Sequence, residues 1–148
     1  MPQQTTATFG NWVLRCVHPA SGPQLCEVVQ LVQQEGRAIA QMAIGSLGKD
    51  KPLRMTVVVQ PNVSFAKKPV LAGPGKERED VSFTWERCLP ELCLADADVS
   101  EATLQRIRSW SQPARLSYSD AGGRDVELPL SPTGLPQALD ALAKEDRN

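Results

Sequence analysis

Residues 53–60 read LRMTVVVQ, and this stretch shows the pattern that decides the fold class. Apolar side chains occupy its odd positions: Leu53, Met55, Val57 and Val59. A period of two is typical of a β-strand with one buried face, because successive side chains point to opposite sides. The stretch therefore predicts a half-buried strand whose odd-numbered residues face the core.

The N-terminal part of the chain carries the same pattern around a turn. In residues 9–17 (FGNWVLRCV), large side chains alternate onto one face, which predicts a strand. Residues 19–23 (PASGP) are turn formers, and residues 25–33 (LCEVVQLVQ) supply a second β-branched run. The two runs predict a hairpin. Residues 38–44 (AIAQMAI) fit a strand or a short helix by composition, and we favour the strand.

The middle of the chain alternates between loops and short strands. Residues 61–80 carry three prolines and two glycines and end in the charge run KERED (76–80). This composition predicts solvated loops around one short strand near 69–71. Residues 81–86 (VSFTWE) then alternate as a strand that leads into Cys88.

The C-terminal part predicts two helices and a second hairpin. Residues 98–101 (DVSE) have the spacing of a capping box with the first aspartate as the cap, which predicts a short helix ended by Pro113. Residues 114–119 and 126–130 predict two strands. Residues 135–142 place apolar side chains at i, i+3, i+4 and i+7, which predicts a closing amphipathic helix.

These elements fit one small all-β domain in a chain of 148 residues. We predict an antiparallel β-sandwich or barrel-like sheet with two short helices, stabilised by disulfides. Residues 9–143 form the domain, residues 1–8 a disordered remnant, and residues 144–148 a frayed tail. No stretch reaches the roughly 18 apolar residues of a membrane helix. A net charge of −1 disfavours nucleic acid as a partner, and we expect a monomer or weak homo-oligomer.

Four cysteines occur as two local pairs, Cys16 with Cys26 and Cys88 with Cys93. The spacing favours disulfides formed in an oxidising compartment, with local pairing because it requires the least rearrangement of the chain. Each ring would constrain the unfolded chain by about 2–3 kcal/mol. A zinc site and four free thiols are the alternatives. Zinc is disfavoured because His18 is the only histidine and C-x-x-C is lacking.

The sequence lacks the usual motifs of catalysis. It has no Gly-x-Ser-x-Gly elbow, nucleotide-binding glycine loop or His-Glu-x-x-His motif, and His18 is interpreted as a surface-loop histidine. Residues 96–100 (DADVS) resemble the start of a calcium loop, but Glu101 stands where such a loop needs glycine. We therefore predict no catalytic, cofactor-binding or metal-binding residue, and no cofactor.

Two groups of side chains have both a structural and a functional interpretation. The tryptophans could line a ligand pocket, but their alternation favours core packing: Trp12, Trp85 and Trp110. Five basic residues could form a patch, but the balanced charge favours scattered solvated side chains: Lys49, Lys51, Arg54, Lys67 and Lys68. The structural interpretation is preferred for both groups.

The order of several short motifs resembles the invasion-associated locus B family of bacterial envelope proteins over nearly the whole chain. The matching residues are Phe9-Gly10-x-Trp12-x3-Cys16, Cys26, Cys88, Cys93 followed by Ala95, and Ser131-x2-Gly134-x3-Ala138-Leu139-x2-Leu142. Leu92 and Leu135 depart from the pattern, since the family usually has Gly and Phe at these positions.

The resemblance implies a β-rich fold, export past the inner membrane and, in some pathogens, a link to host-cell invasion and virulence. It implies no known reaction. We therefore expect a non-catalytic periplasmic or secreted protein that binds an unknown protein or envelope partner. A cleaved signal peptide is expected upstream of Pro2, with Met1 as an added start residue. The alternative is a periplasmic enzyme or small-ligand-binding protein with an unrecognised site.

Overall fold

A computed structural model describes residues 3–46, 51–74 and 79–146. Within these ranges the chain forms eleven strands and two helices, and the mostly β composition confirms the predicted fold class. The elements are β1 (Gln3–Phe9), β2 (Trp12–His18), β3 (Leu25–Gln34), β4 (Arg37–Ser46), β5 (Leu53–Val59), β6 (Val70–Ala72), β7 (Glu79–Ser82), β8 (Thr84–Leu89), β9 (Leu92–Asp98), α1 (Glu101–Arg108), β10 (Ala114–Ser119), β11 (Asp125–Leu130) and α2 (Leu135–Asp146).

The strands form two antiparallel sheets with a shared apolar core. The first has the order β1-β2-β3-β4-β5-β9-β8, and the second has the order β11-β10-β6-β7. Core residues come from both sheets and from both helices, as in a sandwich: Trp12, Val57, Leu71, Ile107, Leu116 and Leu139. Neither helix in the described ranges is long and apolar enough to cross a membrane.

The alternating pattern of β5 matches its burial. Met55, Val57 and Val59 are buried, and the even-numbered residues between them are only partly buried. Residues 37–46 form a strand that includes residues 38–44, for which we favoured a strand over a short helix, and β4 pairs with β5 along seven residues. The period of two in the sequence was therefore sufficient to predict which face of β5 is buried.

The predictions for the two ends of the chain differ from the structure. Residues 3–8, expected to be disordered, lie in β1 and pair with β2. Their polar side chains suggested disorder, but an edge strand that buries few side chains does not need apolar residues. Residues 144–146, expected to fray, continue α2. Residues 1–2 and 147–148 lie outside the described ranges.

The single strand predicted over residues 81–86 is divided between the two sheets. β7 and β8 belong to different sheets, and Phe83 lies between them, fully buried. Its backbone N–H donates to the Pro69 carbonyl at 2.9 Å, so the crossing point is fixed by the core. Of the predicted charged loop, residues 76–78 lie outside the described ranges, and residues 79–80 begin β7.

The predicted cap of α1 is wrong by two residues. Ser100 is the N-cap, and its hydroxyl accepts a hydrogen bond from the Thr103 N–H at 3.1 Å. Asp98 remains in β9, where its carboxylate binds Arg54 at 2.8 Å. Because Asp98 pairs with Arg54 on β5, β9 continues through the residue that the sequence pattern predicted as the helix cap.

The turn between β1 and β2 contacts the loop before α2 through two glycines. A Cβ on Gly10 would lie 2.5 Å from the Thr133 carbonyl oxygen, and a Cβ on Gly134 would lie 2.0 Å from the Phe9 carbonyl oxygen. The Asn11 N–H donates to the Thr133 oxygen at 3.0 Å. Only residues without a Cβ allow the two backbones to approach this closely.

Ser131 anchors the same loop to the first sheet. Its carbonyl accepts hydrogen bonds from Trp12 Nε1 at 2.9 Å and from Gln30 Nε2 at 3.0 Å. Its N–H donates to Gln30 Oε1 at 2.9 Å. Gln30 is 6% exposed, so its side chain places an amide inside the core whose oxygen and nitrogen are both hydrogen-bonded.

Candidate binding groove

A groove of about 410 Å³ runs across the outer face of the first sheet, the face turned away from the second sheet. Residues of β2, β3, β4, β5 and β9 line it. The same alternation that sends Met55 and Val57 into the core sends Arg54 and Thr56 to this outer face. The groove is therefore a direct product of the strand pattern.

One cross-strand row passes through the groove and continues to Asp98 beyond it. In the register of the sheet, Arg15 lies opposite Glu27, Glu27 opposite Gly45, Gly45 opposite Arg54, and Arg54 opposite Asp98. Charges of opposite sign alternate along this row on both sides of the glycine. The arrangement brings together residues from four consecutive strands, β2 to β5, and from β9, which is distant in the sequence.

Gly45 keeps the middle of the row open. A Cβ at this position would lie 2.8 Å from the Cys26 carbonyl oxygen and 2.9 Å from the Glu27 Cβ. Such distances are below van der Waals contact, so a side chain would displace the neighbouring strand. The absence of a side chain here lowers the floor of the groove between the two charged pairs.

Both arginines of the groove are neutralised by carboxylates. Arg15 binds Glu27 through its Nε and Nη2 atoms. Arg54 Nη2 binds Asp96 at 2.9 Å, and its Nη1 binds Asp98 at 2.8 Å. Partly exposed pairs of this kind contribute about 0–1 kcal/mol each to stability, so they mainly fix the side-chain positions.

Two exposed apolar side chains lie at one end of the groove. Val17 is 40% exposed and Leu25 is 44% exposed, and the two are opposite each other in the β2–β3 register. Their exposed surface is hydrated in the free protein, and covering it with an apolar group would be favourable. The groove thus combines an apolar end with a middle in which both arginines are paired with carboxylates.

Glu86 on β8 adds a carboxyl group beside Asp96. A hydrogen bond to Asp96 and the charge of Asp96 raise the pKa of Glu86 above its ordinary value of 4.5, and the Arg54 cation opposes this rise. Because the pKa is raised, the hydrogen bond is present when Glu86 is protonated and is lost as the pH rises through the folded-state value.

We expect Asp96→Asn to lower the pKa of Glu86 towards 4.5, because the neighbouring negative charge is removed. Arg54→Gln should raise it further, because the opposing cation is removed. Carbon-detected NMR titration of the Glu86 carboxyl measures both changes. An unchanged Glu86 pKa in Asp96→Asn would contradict the proposed carboxyl pair.

The four cysteines form two disulfides in the structure. Cys16 bonds to Cys26 across β2 and β3, and Cys88 bonds to Cys93 across β8 and β9, each with its partner directly opposite in register. A Glu145 carboxylate oxygen lies within 4.8 Å of both sulfurs of the first pair. Metal binding uses thiolates, which a disulfide does not offer.

The other residues singled out in the sequence lie in different environments. Trp12 is fully buried, as predicted, but Trp85 and Trp110 are only partly buried. His18, predicted in a loop, is the last residue of β2. Asp96 and Asp98, which resemble the start of a calcium loop in the sequence, both bind Arg54.

The basic residues do not gather into one patch within the described ranges. Arg54 lies in the groove, and Lys67 lies near Asp125, with 3.3 Å between its Nζ and the carboxylate. Lys67 also offers its carbonyl to Trp85 Nε1 at 3.1 Å. Lys49 lies outside the described ranges.

Trp85 contacts two aromatic rings, and this cluster was not predicted from the sequence. The ring centroids of Phe65 and Tyr118 lie 5.8 and 6.3 Å from that of Trp85, both edge to face. Burial, with the charge of Asp120, raises the pKa of Tyr118. The cluster joins β8 of the first sheet to β10 of the second, so it contributes to the packing of the sandwich.

The comparison with known families shows to which family this chain belongs. The family model of the Invasion associated locus B (IalB) protein matches residues 12–143. The chain belongs to the IalB family. This confirms the resemblance found in the sequence motifs. No curated protein matches the chain at a significant level.

The fold is shared with a solved structure of a protein that is also named for invasion. The crystal structure of invasion associated protein B from Bartonella henselae superposes with a TM-score of 0.82. The match covers 97% of each chain at 18% sequence identity. At this identity the likeness establishes the fold alone. The motifs around Gly10 and Gly134, which were part of the resemblance, contact each other in the structure.

Proposed function

We propose that this IalB-family protein is a non-catalytic component of the bacterial envelope, periplasmic or secreted after signal-peptide cleavage, that acts by binding a partner protein. The groove on the outer sheet face is the observation that carries the proposal. Two disulfides suit an oxidising compartment outside the cytoplasm. A link to host-cell invasion follows from the family name and belongs to the same proposal.

The groove favours an apolar side chain of a protein partner as its occupant. Its two arginines are paired with three carboxylates, those of Glu27, Asp96 and Asp98, so the groove has no excess positive charge to select a phosphate or another small anion. Val17 and Leu25 present apolar surface beside the paired charges, and covering this surface with an apolar side chain would be favourable. The paired charges would orient the partner rather than supply most of the affinity.

A photo-crosslinking residue at Leu25 tests the proposal in intact bacterial envelopes. We expect a discrete crosslinked protein, because Leu25 lies at the apolar end of the groove. Phe65 is the matched control, since it is 61% exposed but packs against Trp85 outside the groove. Adding Val17→Asp, which places an unpaired charge in the groove, should abolish the Leu25 product.

Binding of the identified protein to the purified chain then decides the assignment. Val17→Asp should weaken the affinity at least about tenfold, because an apolar contact is replaced by a buried charge. Equal crosslinking from Leu25 and Phe65, or an affinity unchanged by Val17→Asp, would refute the groove as the binding site.

A further inference from the structure

The strands at the edges of the two sheets differ in how they oppose pairing with another chain. An edge strand exposes unpaired backbone N–H and C=O groups, and proteins protect such edges with charges, proline, bulges or short length. β8 carries two charged residues and a register shift between Trp85 and Arg87. β11 contains Pro129. β7 has four residues, two of them acidic. These three edges are protected.

β1 has none of these protections. Residues 3–9 read QQTTATF, with neither a charge nor a proline. Its register with β2 is unbroken from Gln3, opposite His18, to Phe9, opposite Trp12. Residues 4–8 are all exposed. In the described part of the chain, no strand pairs with the other side of β1.

The turn geometry shows which backbone groups of β1 are available. β1 and β2 are joined by a two-residue turn whose first residue, Gly10, has a φ of 58°. Such a turn makes the flanking residues, Phe9 and Trp12, a hydrogen-bonded pair, and bonded positions then alternate along β1. The residues between them direct their N–H and C=O groups to the free edge: Gln4, Thr6 and Thr8.

We propose that β1 pairs with β1 of a second copy of this chain, antiparallel, about a two-fold axis at Thr6. In this register Thr6 faces Thr6 of the partner subunit, and Gln4 faces Thr8 of the partner subunit. About six backbone hydrogen bonds form, because each free residue offers one donor and one acceptor. The strand suits a copy of itself because its neutrality brings no like charges together across the axis.

The pairing joins the two outer sheet faces. Thr6 lies opposite Arg15 in the register of β1 and β2, so both subunits' Arg15 residues fall in one row. Three strand spacings separate them, a distance of about 14 Å. The two grooves then lie on one continuous sheet. Because a pair of strand edges buries little surface, the dimer is weak and depends on concentration.

Sedimentation velocity of the purified chain over a concentration series tests the pairing. Thr6→Lys and Thr6→Glu should each weaken dimerisation at least about tenfold, because like charges meet at the two-fold axis. An equimolar mixture of the two variants should restore the dimer, because opposite charges then meet. Thr84→Lys is the matched control on β8, the opposite edge of the same sheet, and should leave the dimer unchanged.

Other results would overturn the proposal. One is a wild-type chain that stays monomeric throughout the concentration series. Another is that Thr6→Lys and Thr6→Glu each dimerise as strongly as the wild type. The third is that the equimolar mixture of the two variants stays monomeric. Circular dichroism of the variants verifies that each one is folded, which separates loss of pairing from loss of structure.

Discussion

Gly134→Ala is expected to lower the free energy of unfolding by about 3 kcal/mol, combining the cost of a positive φ with that of steric overlap. Gly134 has a φ of 86°, and its added Cβ would lie 2.0 Å from the Phe9 carbonyl oxygen. The carbonyl belongs to the backbone, so it cannot rotate away as a side chain would. The loop before α2 would have to separate from the β1–β2 turn.

Gly123→Ala is the matched control for this prediction. Gly123 has a nearly identical φ of 85°, but no atom lies within 4 Å of its added Cβ. Its substitution should therefore lower the free energy of unfolding by only about 1 kcal/mol, the cost of a positive φ for a residue with a Cβ. Urea denaturation measures both variants. Equal losses would show that the contact between Gly134 and Phe9 contributes nothing to stability.

Replacing both Cys16 and Cys26 by Ala is expected to lower the free energy of unfolding by about 3 kcal/mol, because the unfolded chain loses its larger ring. These cysteines are 10 residues apart, whereas Cys88 and Cys93 are 5 apart, so the same double substitution there should cost only about 2 kcal/mol. Denaturant unfolding of the oxidised proteins measures the difference.

Two further measurements test the pairing of the cysteines and the role of His18. Peptide mapping without reduction should find both local pairs, and a crossed pair would contradict the structure. His18→Ala should leave the amount of folded protein in the envelope nearly unchanged, whereas Cys16→Ser should lower it. If His18→Ala abolished host-cell entry or envelope integrity at a normal protein level, catalysis or metal binding would be favoured over partner binding.

Local sequence patterns were sufficient where one residue's environment depends on its own strand. The alternation around Met55 and Val57 predicted their burial, because the period of a strand is a local property. The closing helix was predicted for the same reason, since Leu135, Leu139 and Leu142 mark one buried face. The hairpin of β10 and β11 was predicted from two short runs, 114–119 and 126–130, that are close in the sequence.

The candidate groove could not be predicted, because it depends on how strands are aligned. Arg15, Glu27, Gly45 and Arg54 come from four strands, and only the register places them in one row. Gln30 is similar, since its partner Ser131 is 101 residues away. The crossing at Phe83 between the sheets depends on core packing, and no residue in the alternating run 81–86 marks it.

The hydrogen bond from Trp12 to Ser131 spans 119 residues, so it constrains the order of folding. A chain that emerges N-terminus first can complete the β2–β3 hairpin early, because its residues are close in sequence. The turn at Gly10 can form its contact with the loop before α2 only after almost the whole polypeptide has been made. Until then the first sheet lacks α2 as cover, and its inward face is open to chaperones or to premature association.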